Sequence, residues 1–157
     1  MQIPILKSTH RTLTERIESL KKDIDGNSKD IGTAASLGDL KENSAYHSAK
    51  ERQVLLLSRM QRFKSYLNCK IINMNGTKPE QVSFGTSVTV VDTKDKTTHT
   101  FNLVGPVEYE LDLMPDMVTI AAPMARILMG KKIGETIECH FGSNEWDGVV
   151  TDIKAIE

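Results

Sequence analysis

Cysteine is scarce in this chain: Cys69 and Cys139 are the only two among 157 residues, and they lie far apart in the sequence. They lack the paired spacing of a zinc site, and two distant cysteines are by default reduced structural thiols. Aromatic residues are also few, at 5%, and Trp146 is the only tryptophan. We therefore expect no disulfide framework and no cysteine metal site, and we interpret Trp146 and Phe141 as sheet core or edge.

Long apolar runs are missing as well. No window approaches the roughly 18 apolar residues of a membrane span, and the first six residues lack the basic region and apolar core of a secretion signal. A hydrophobic content of 39% with 26% charged residues is typical of a globular protein. We expect a cytoplasmic protein without membrane contact.

The sequence also lacks the usual signs of an independent active site. It contains no glycine-rich phosphate loop, no metal-ligand cluster and no Ser/His/Asp spacing, and its four histidines are dispersed at positions 10, 47, 99 and 140. We therefore expect that the protein is not itself an enzyme and holds no cofactor tightly. His47 is interpreted as a structural histidine near a helix start.

The net charge of −1 hides an uneven distribution. Residues 1–75 contain 13 Lys and Arg against 8 Asp and Glu, whereas residues 76–157 contain 7 against 13. A basic half suggests a polyanionic neighbour such as nucleic acid. A solvated helical surface rich in Lys and Arg explains the same bias, and the charge alone does not choose between the two.

Residues 1–75 have the apolar periodicity of two helices that form an antiparallel coiled-coil hairpin. Apolar residues recur at alternating spacings of four and three in two stripes: Leu13, Ile17, Leu20 and Ile24, then Leu56, Met60, Phe63 and Leu67. A first helix over about residues 8–36 would make the hairpin roughly 40 Å long. Gly26 either lies within one kinked helix or breaks it into two pieces.

Residues 76–157 have the alternating pattern of a second, globular domain. We predict β-branched strands over residues 88–91, 98–104, 118–120, 135–141 and 148–156. One short helix is predicted from Pro123 through Met129, with Gly130 at its end. The chain is therefore predicted to be α+β, with a helical hairpin followed by a twisted antiparallel sheet that holds one short helix.

The connection of the hairpin contains two carboxylates three residues apart. They are Asp39 and Glu42, within the acidic tip at residues 38–43. One interpretation is structural: Asp39 caps the second helix, and Glu42 reaches back to the cap amide. The other interpretation is that both carboxylates serve a reaction at the end of the hairpin.

Three segments resemble the Gre family of bacterial transcript-cleavage factors, and its GreA type in particular. Residues 38–53, GDLKENSAYHSAKERQ, resemble the family's tip signature G-D-L-K/S-E-N-A-E-Y-H-A-A-R-E-x-Q. Ile3-Pro4 before a Leu-rich helix is similar to the family's opening. Residues 122–135, APMARILMGKKIGE, resemble its segment S-P-I-A-R-A-L-I-G-K-K-x-G-D.

The resemblance implies a fold, a partner and a reaction. Gre factors combine an antiparallel coiled coil with a C-terminal domain that resembles FKBP folds. They dock on bacterial RNA polymerase and insert the coiled coil into its secondary channel, where they stimulate cleavage of backtracked nascent RNA. The family therefore implies a monomer whose partners are the polymerase and the nascent RNA, and which shares Mg²⁺ with the polymerase active centre.

The resemblance also assigns roles to residues. Asp39 would help to hold the Mg²⁺ ion, and Glu42 would orient or deprotonate the attacking water. Asn43 and Tyr46 would support the tip. The implied polymerase docking residues are Ala122, Pro123 and Met124. Lys41, Lys50 and Arg52 would contact RNA or the channel, although for any one of these charges simple solvation of the helix is the favoured explanation.

Two departures from the family pattern leave a second function open. Ser44-Ala45 stands where many members have Ala-Glu, so the tip has one acid fewer, and Ala122 replaces a serine before the docking proline. A channel-binding regulator or inhibitor without cleavage activity would fit the missing acid. The intact Asp39 and Glu42 pair favours the cleavage stimulator.

Overall fold

The computed structural model of the chain describes residues 2–39 and 43–157. The chain forms two compact units: residues 10–69, called here the helical unit, and residues 1–9 together with 70–157, called the sheet unit. The domain boundary after residue 75 stays a prediction, and the first residues of the chain group with the sheet unit. Across the two described ranges, no helix is both long and apolar enough to cross a membrane.

The helical unit consists mainly of two long helices. Helix α1 spans Lys7–Ala35 and helix α2 spans Ser44–Tyr66. With 29 residues, α1 is about 43 Å long. It runs without interruption through Gly26, so the interpretation of two pieces is wrong and the helix is single, while the kink stays a prediction.

The predicted apolar stripes form the buried seam between the helices. Six of the eight predicted stripe residues are buried, Leu13, Ile17 and Leu20 on α1 and Leu56, Met60 and Phe63 on α2, whereas Ile24 and Leu67 are half-buried. Hydrogen bonds join late residues of α1 to early residues of α2, from Asn27 to Ala49 and from Asn43 to Ala34. The two helices therefore pack antiparallel, as predicted.

The sheet unit contains a five-stranded sheet in the order β5-β4-β3-β7-β6. The strands are β3 (Thr86–Asp92), β4 (Thr98–Val104), β5 (Met117–Thr119), β6 (Thr136–Phe141) and β7 (Asn144–Ala155). Every neighbouring pair is antiparallel except β4 and β5, which are parallel. The five predicted strands are all present, and the parallel pair makes the sheet mixed.

The core of the sheet unit lies between the sheet and a short helix, α4 (Pro123–Leu128). Inward-facing valines of β3 and β7 pack with Ala125 and Leu128, which are completely buried. The helix begins at Pro123 as predicted, because proline has no amide hydrogen to lose at a first helical position. Gly130 follows it with a φ of +81°, a conformation that glycine adopts without strain.

Three elements were not predicted from the sequence. Strands β1 (Pro4–Leu6) and β2 (Lys70–Ile72) form a separate parallel pair, and helix α3 (Pro106–Leu111) precedes β5. The expectation of a single short helix was therefore incomplete. A three-residue strand is too short to alternate visibly, and its pairing depends on a partner more than 60 residues away in the chain.

Candidate functional site

Asp39 lies just after α1, in the turn that leads towards α2. The helix ends through hydrogen bonds from the amides of Ser36 and Leu37 to preceding carbonyls, and Gly38 then takes a φ of +137°. The Asp39 side chain is exposed to solvent. Residues 40–42, and with them the predicted site residues Lys41 and Glu42, lie outside the described residues.

Asn43, and not Asp39, is the N-cap of α2. Its Oδ1 accepts a hydrogen bond from the amide of Tyr46 at 3.0 Å, and its backbone is extended. Its Nδ2 donates to the carbonyl of Ala34 near the end of α1. The prediction that Asp39 is the N-cap of this helix is therefore wrong. Asn43 joins the two helices at the turn.

Tyr46 and Lys50 lie on the first turns of α2. The half-buried Tyr46 ring meets the His47 ring edge to face, with centroids 5.6 Å apart. The Lys50 ammonium lies 5.5 Å from the centroid of the Tyr46 ring, within reach of a cation–π attraction. This contact places one basic group beside the aromatic ring that the motif assigns to tip support.

A cleft of about 380 Å³ lies between the end of α1 and the beginning of α2. Small side chains leave it open: Ala34 on α1, and Ala45, Ser48 and Ala49 on α2. Its remaining lining residues are Asn27, Asp30, Thr33, Leu37 and Arg52. Arg52 therefore faces this cleft.

The three predicted docking residues begin helix α4 in the sheet unit. Ala122 is its N-cap, with no side chain that could cap it, and Pro123 is its first residue. Both line an apolar cleft of about 550 Å³ together with Met124, which also packs against the core. The other lining residues are Tyr109, Met117, Val118, Thr119 and Phe141.

Two aromatic residues of this cleft were missed as candidates. Tyr109 is 58% exposed, and Phe141 is 38% exposed at the end of β6. Tyr109 belongs to helix α3, which the sequence pattern did not reveal. Phe141 was interpreted as sheet core or edge, and it is an edge residue whose ring faces the cleft.

Of the two cysteines, Cys139 lies in the core of the sheet unit, and the structural role of Cys69 stays a prediction. Neither forms a disulfide, and Cys139 is buried with its Sγ 3.9 Å from the Sδ of Met124. Burial raises the pKa of the Cys139 thiol, so it is neutral at physiological pH.

Asp95, in the connection between β3 and β4, is another residue with a shifted pKa. Hydrogen bonds from Thr97 lower the pKa of its exposed carboxyl.

Among residues 2–39 and 43–157, no group of three or more His, Cys, Asp or Glu side chains is placed to hold a metal ion. Asp39 offers a single exposed carboxylate. Hard oxygen donors of this kind suit Mg²⁺, which keeps several waters and takes only one or two carboxylates. Asp39 therefore fits the role of one ligand to an ion held mainly by other groups.

Comparison with known proteins covers almost the whole chain. The N-terminal model of the transcription elongation factors matches residues 3–71, and the GreA/GreB C-terminal model matches residues 77–155. The chain belongs to the GreA/GreB family of transcription elongation factors. The family resemblance of the tip and docking segments is thereby confirmed.

Individual members of the family align over most of their length. Transcription elongation factor GreA of Sulfurovum sp. (strain NBC37-1) is 34% identical over 137 residues, which cover 86% of this chain and 83% of that protein. Its counterpart in Pelobacter propionicus is 30% identical and covers 97% of this chain and 96% of that protein. That of Leuconostoc mesenteroides is 40% identical over 110 residues, 69% of this chain and 68% of that protein.

Proposed function

We propose that this protein binds bacterial RNA polymerase through its secondary channel and stimulates cleavage of the 3′ end of backtracked nascent RNA, which rescues arrested complexes. It acts in the cytoplasm as a monomer and contributes no complete active site of its own. The observation that carries the proposal is the exposed Asp39 at the turn between two antiparallel helices, within the GDLKEN motif of a GreA/GreB family member.

Asp39 and Glu42 are the proposed catalytic side chains, acting inside the polymerase. Cleavage of a phosphodiester with two metal ions needs stabilisation of both the attacking and the leaving oxygen. Mg²⁺ shared with the polymerase supplies that electrostatic stabilisation. Asp39 would provide one carboxylate ligand to it, while Glu42 would orient the attacking water and accept its proton.

The structure of the turn supports a positioning role for Asn43. Its side chain caps α2 and donates a hydrogen bond to the Ala34 carbonyl near the end of α1, so it links the ends of the two helices beside Asp39. Tyr46, whose ring contacts His47 at the start of α2, is proposed to support the tip as well. Lys50 and Arg52 on α2, with Lys41, are proposed to contact RNA or the walls of the channel.

Docking on the polymerase is assigned to the start of α4. Ala122, Pro123 and Met124 line an apolar cleft with exposed aromatic edges, a surface of the kind that interface cores use. Because Ala122 has no hydroxyl, this contact depends on apolar packing more than on hydrogen bonds. We thus propose that the sheet unit attaches the protein to the polymerase and that the helical unit provides the carboxylates for RNA cleavage.

The first test uses a stalled, backtracked polymerase complex with labelled RNA. We expect the protein with Mg²⁺ to shorten the RNA, and, at a Mg²⁺ concentration just sufficient for the parent protein, Asp39→Asn or Glu42→Gln to abolish the stimulated cleavage while polymerase binding is kept. Asp25→Asn, which neutralises another exposed acid of α1 away from the turn, is the matched control and should cleave normally. Unchanged cleavage by both tip variants would end the assignment.

A second function, a channel-binding regulator or inhibitor without cleavage activity, is favoured by one observation. Ala45 stands where the family pattern has a third tip acid, and its side chain lines the cleft between the helices. The same assay separates the two functions. Unshortened RNA with slowed nucleotide addition would support the regulator, whereas shortened RNA supports the stimulator.

A further inference from the structure

The seam between α1 and α2 contains a buried polar position in the half nearer the turn. The alternating spacing of four and three continues from Leu20 and Ile24 to residues 27, 31 and 34, so Asn27 occupies a seam position. Its side chain is only 3% exposed. A buried asparagine at such a position requires hydrogen-bond partners.

Those partners all lie in one network across the helices. Asn27 Nδ2 donates to the carbonyl of Ala49 at 2.8 Å and to Oε1 of Gln53 at 2.7 Å. Gln53 Nε2 in turn donates to the hydroxyl of Ser28 at 3.0 Å. Gln53 is itself a seam residue, three positions before the buried Leu56.

The apolar part of the seam around this network specifies the register weakly. Towards the turn the seam residues are Ile31 and Ala34 on α1, and Ala49 and Tyr46 on α2, and small side chains there leave the cleft open. Sliding α2 by one seam step would place Leu56 or Ala49 opposite Asn27. Neither side chain accepts a hydrogen bond, so the buried amide of Asn27 would lose its side-chain acceptor, which is unfavourable.

We propose that Asn27 and Gln53 fix the register of the helical hairpin and thereby position Asp39 and Glu42 for cleavage. A buried asparagine in a coiled coil is known to select one register at some cost in stability. A slip of one helical turn moves one helix by about 5.4 Å along the other, which is far more than a reacting carboxylate tolerates. Asn27 and Gln53 are thus positioning residues, and this role rests on the proposed function.

The register is measurable in the free protein. Spin labels at Glu15→Cys and Glu51→Cys report the register when Cys69 is replaced by serine, because both sites are exposed and lie about 18 Å apart along the axis of the hairpin. Cys139 is buried and stays unlabelled. We expect one narrow distance distribution for the parent protein. The double substitution Asn27→Leu with Gln53→Leu should add a second population whose distance differs by several ångströms, because a slip of one turn changes the axial separation of the labels by about 5.4 Å.

The same double variant separates positioning from simple support of the fold. Its unfolding midpoint should not fall, because two apolar side chains replace a buried polar pair. Its stimulated cleavage should nevertheless fall roughly 10- to 100-fold with polymerase affinity unchanged. The control Ile31→Leu alters a half-buried seam residue without a polar group and should keep both the distance and the cleavage rate.

If the double variant does not fold, Gln53→Ala is the alternative. It removes one of the two acceptors of Asn27 and keeps the other, the Ala49 carbonyl. It should broaden the spin-label distance distribution, but by less than the double variant. A single unchanged distance in the folded variants would overturn the proposal. Broadened distances with unchanged cleavage would overturn the positioning role. If the parent protein stimulates no cleavage, the proposed function fails, while the spin-label distances still decide whether these residues set the register.

Discussion

In the sheet unit, Val88, Val90 and Leu128 are completely buried in one apolar cluster that is covered by five strands and a helix. The helical unit instead relies on a single seam between two helices, and near the turn this seam contains the amides of Asn27 and Gln53. Burial of apolar area is the main source of stability, whereas buried polar contacts select one arrangement among several. Stability is thus concentrated in the sheet unit, and geometric precision depends on a few residues of the helical unit.

The largest effect is expected in the sheet core. Leu128→Ala should lower the free energy of unfolding by about 2–5 kcal/mol, because it removes a fully buried side chain and leaves a cavity. The fluorescence of Trp146, which packs against this core, follows unfolding of the sheet unit in denaturant. Leu57→Ala, at a half-exposed position of α2, is the control and should change little. A small loss of unfolding free energy for Leu128→Ala would show that stability is not concentrated in the sheet unit.

A smaller loss of stability is expected at the contact between β1 and α3. Glu108 is completely buried, and its Oε1 accepts a hydrogen bond from the amide of Leu6 at 2.9 Å. Glu108→Ala should cost about 1–3 kcal/mol, because that amide loses its buried acceptor. Glu108→Gln keeps an acceptor oxygen and should preserve most of the stability.

Hydrogen exchange of the Leu6 amide measures this contact directly. Exchange should accelerate in Glu108→Ala and stay close to the parent rate in Glu108→Gln. Equal protection in the parent and the alanine variant would show that β1 is held by its pairing with β2 alone.

The smallest of these effects is expected at the turn of the helical unit. Asn43→Ala should destabilise α2 by about 1 kcal/mol through loss of its N-cap. Asn43→Asp keeps the capping oxygen but loses the donor to Ala34, so it separates the cap from the link between the helices. Protection of the Tyr46 amide against exchange should fall in the alanine variant and remain in the aspartate variant. The opposite order would contradict the assigned cap.

Much of the fold could be predicted because its signals are local and repeated. The two apolar stripes predicted α1 and α2, and Pro123 with Gly130 predicted α4 and its end. Strands β1 and β2 were not predicted because three residues give no periodicity, and helix α3 was not predicted although Pro106 marks its start. The parallel pairing of β5 depends on long-range contacts that no local pattern encodes.

The candidate site was predicted unevenly for similar reasons. Asp39 was found through its motif, but its role as a helix cap was wrong because Asn43, four residues later, takes the N-cap position. The polar network of Asn27 and Gln53 was missed, since a search for apolar stripes passes over a polar residue at a seam position. Tyr109 and Phe141 were missed as lining residues of the apolar cleft, because they come from α3 and β6 and no local pattern shows that these elements lie close together.

The most direct test of the central claim is the Mg²⁺ dependence of stimulated cleavage in a backtracked complex, compared between the parent protein and Asp39→Asn. If Asp39 supplies a metal ligand, the variant should need a much higher Mg²⁺ concentration, and its deficit should shrink as Mg²⁺ is raised. A deficit that stays the same at every Mg²⁺ concentration, or no deficit at all, would contradict the account.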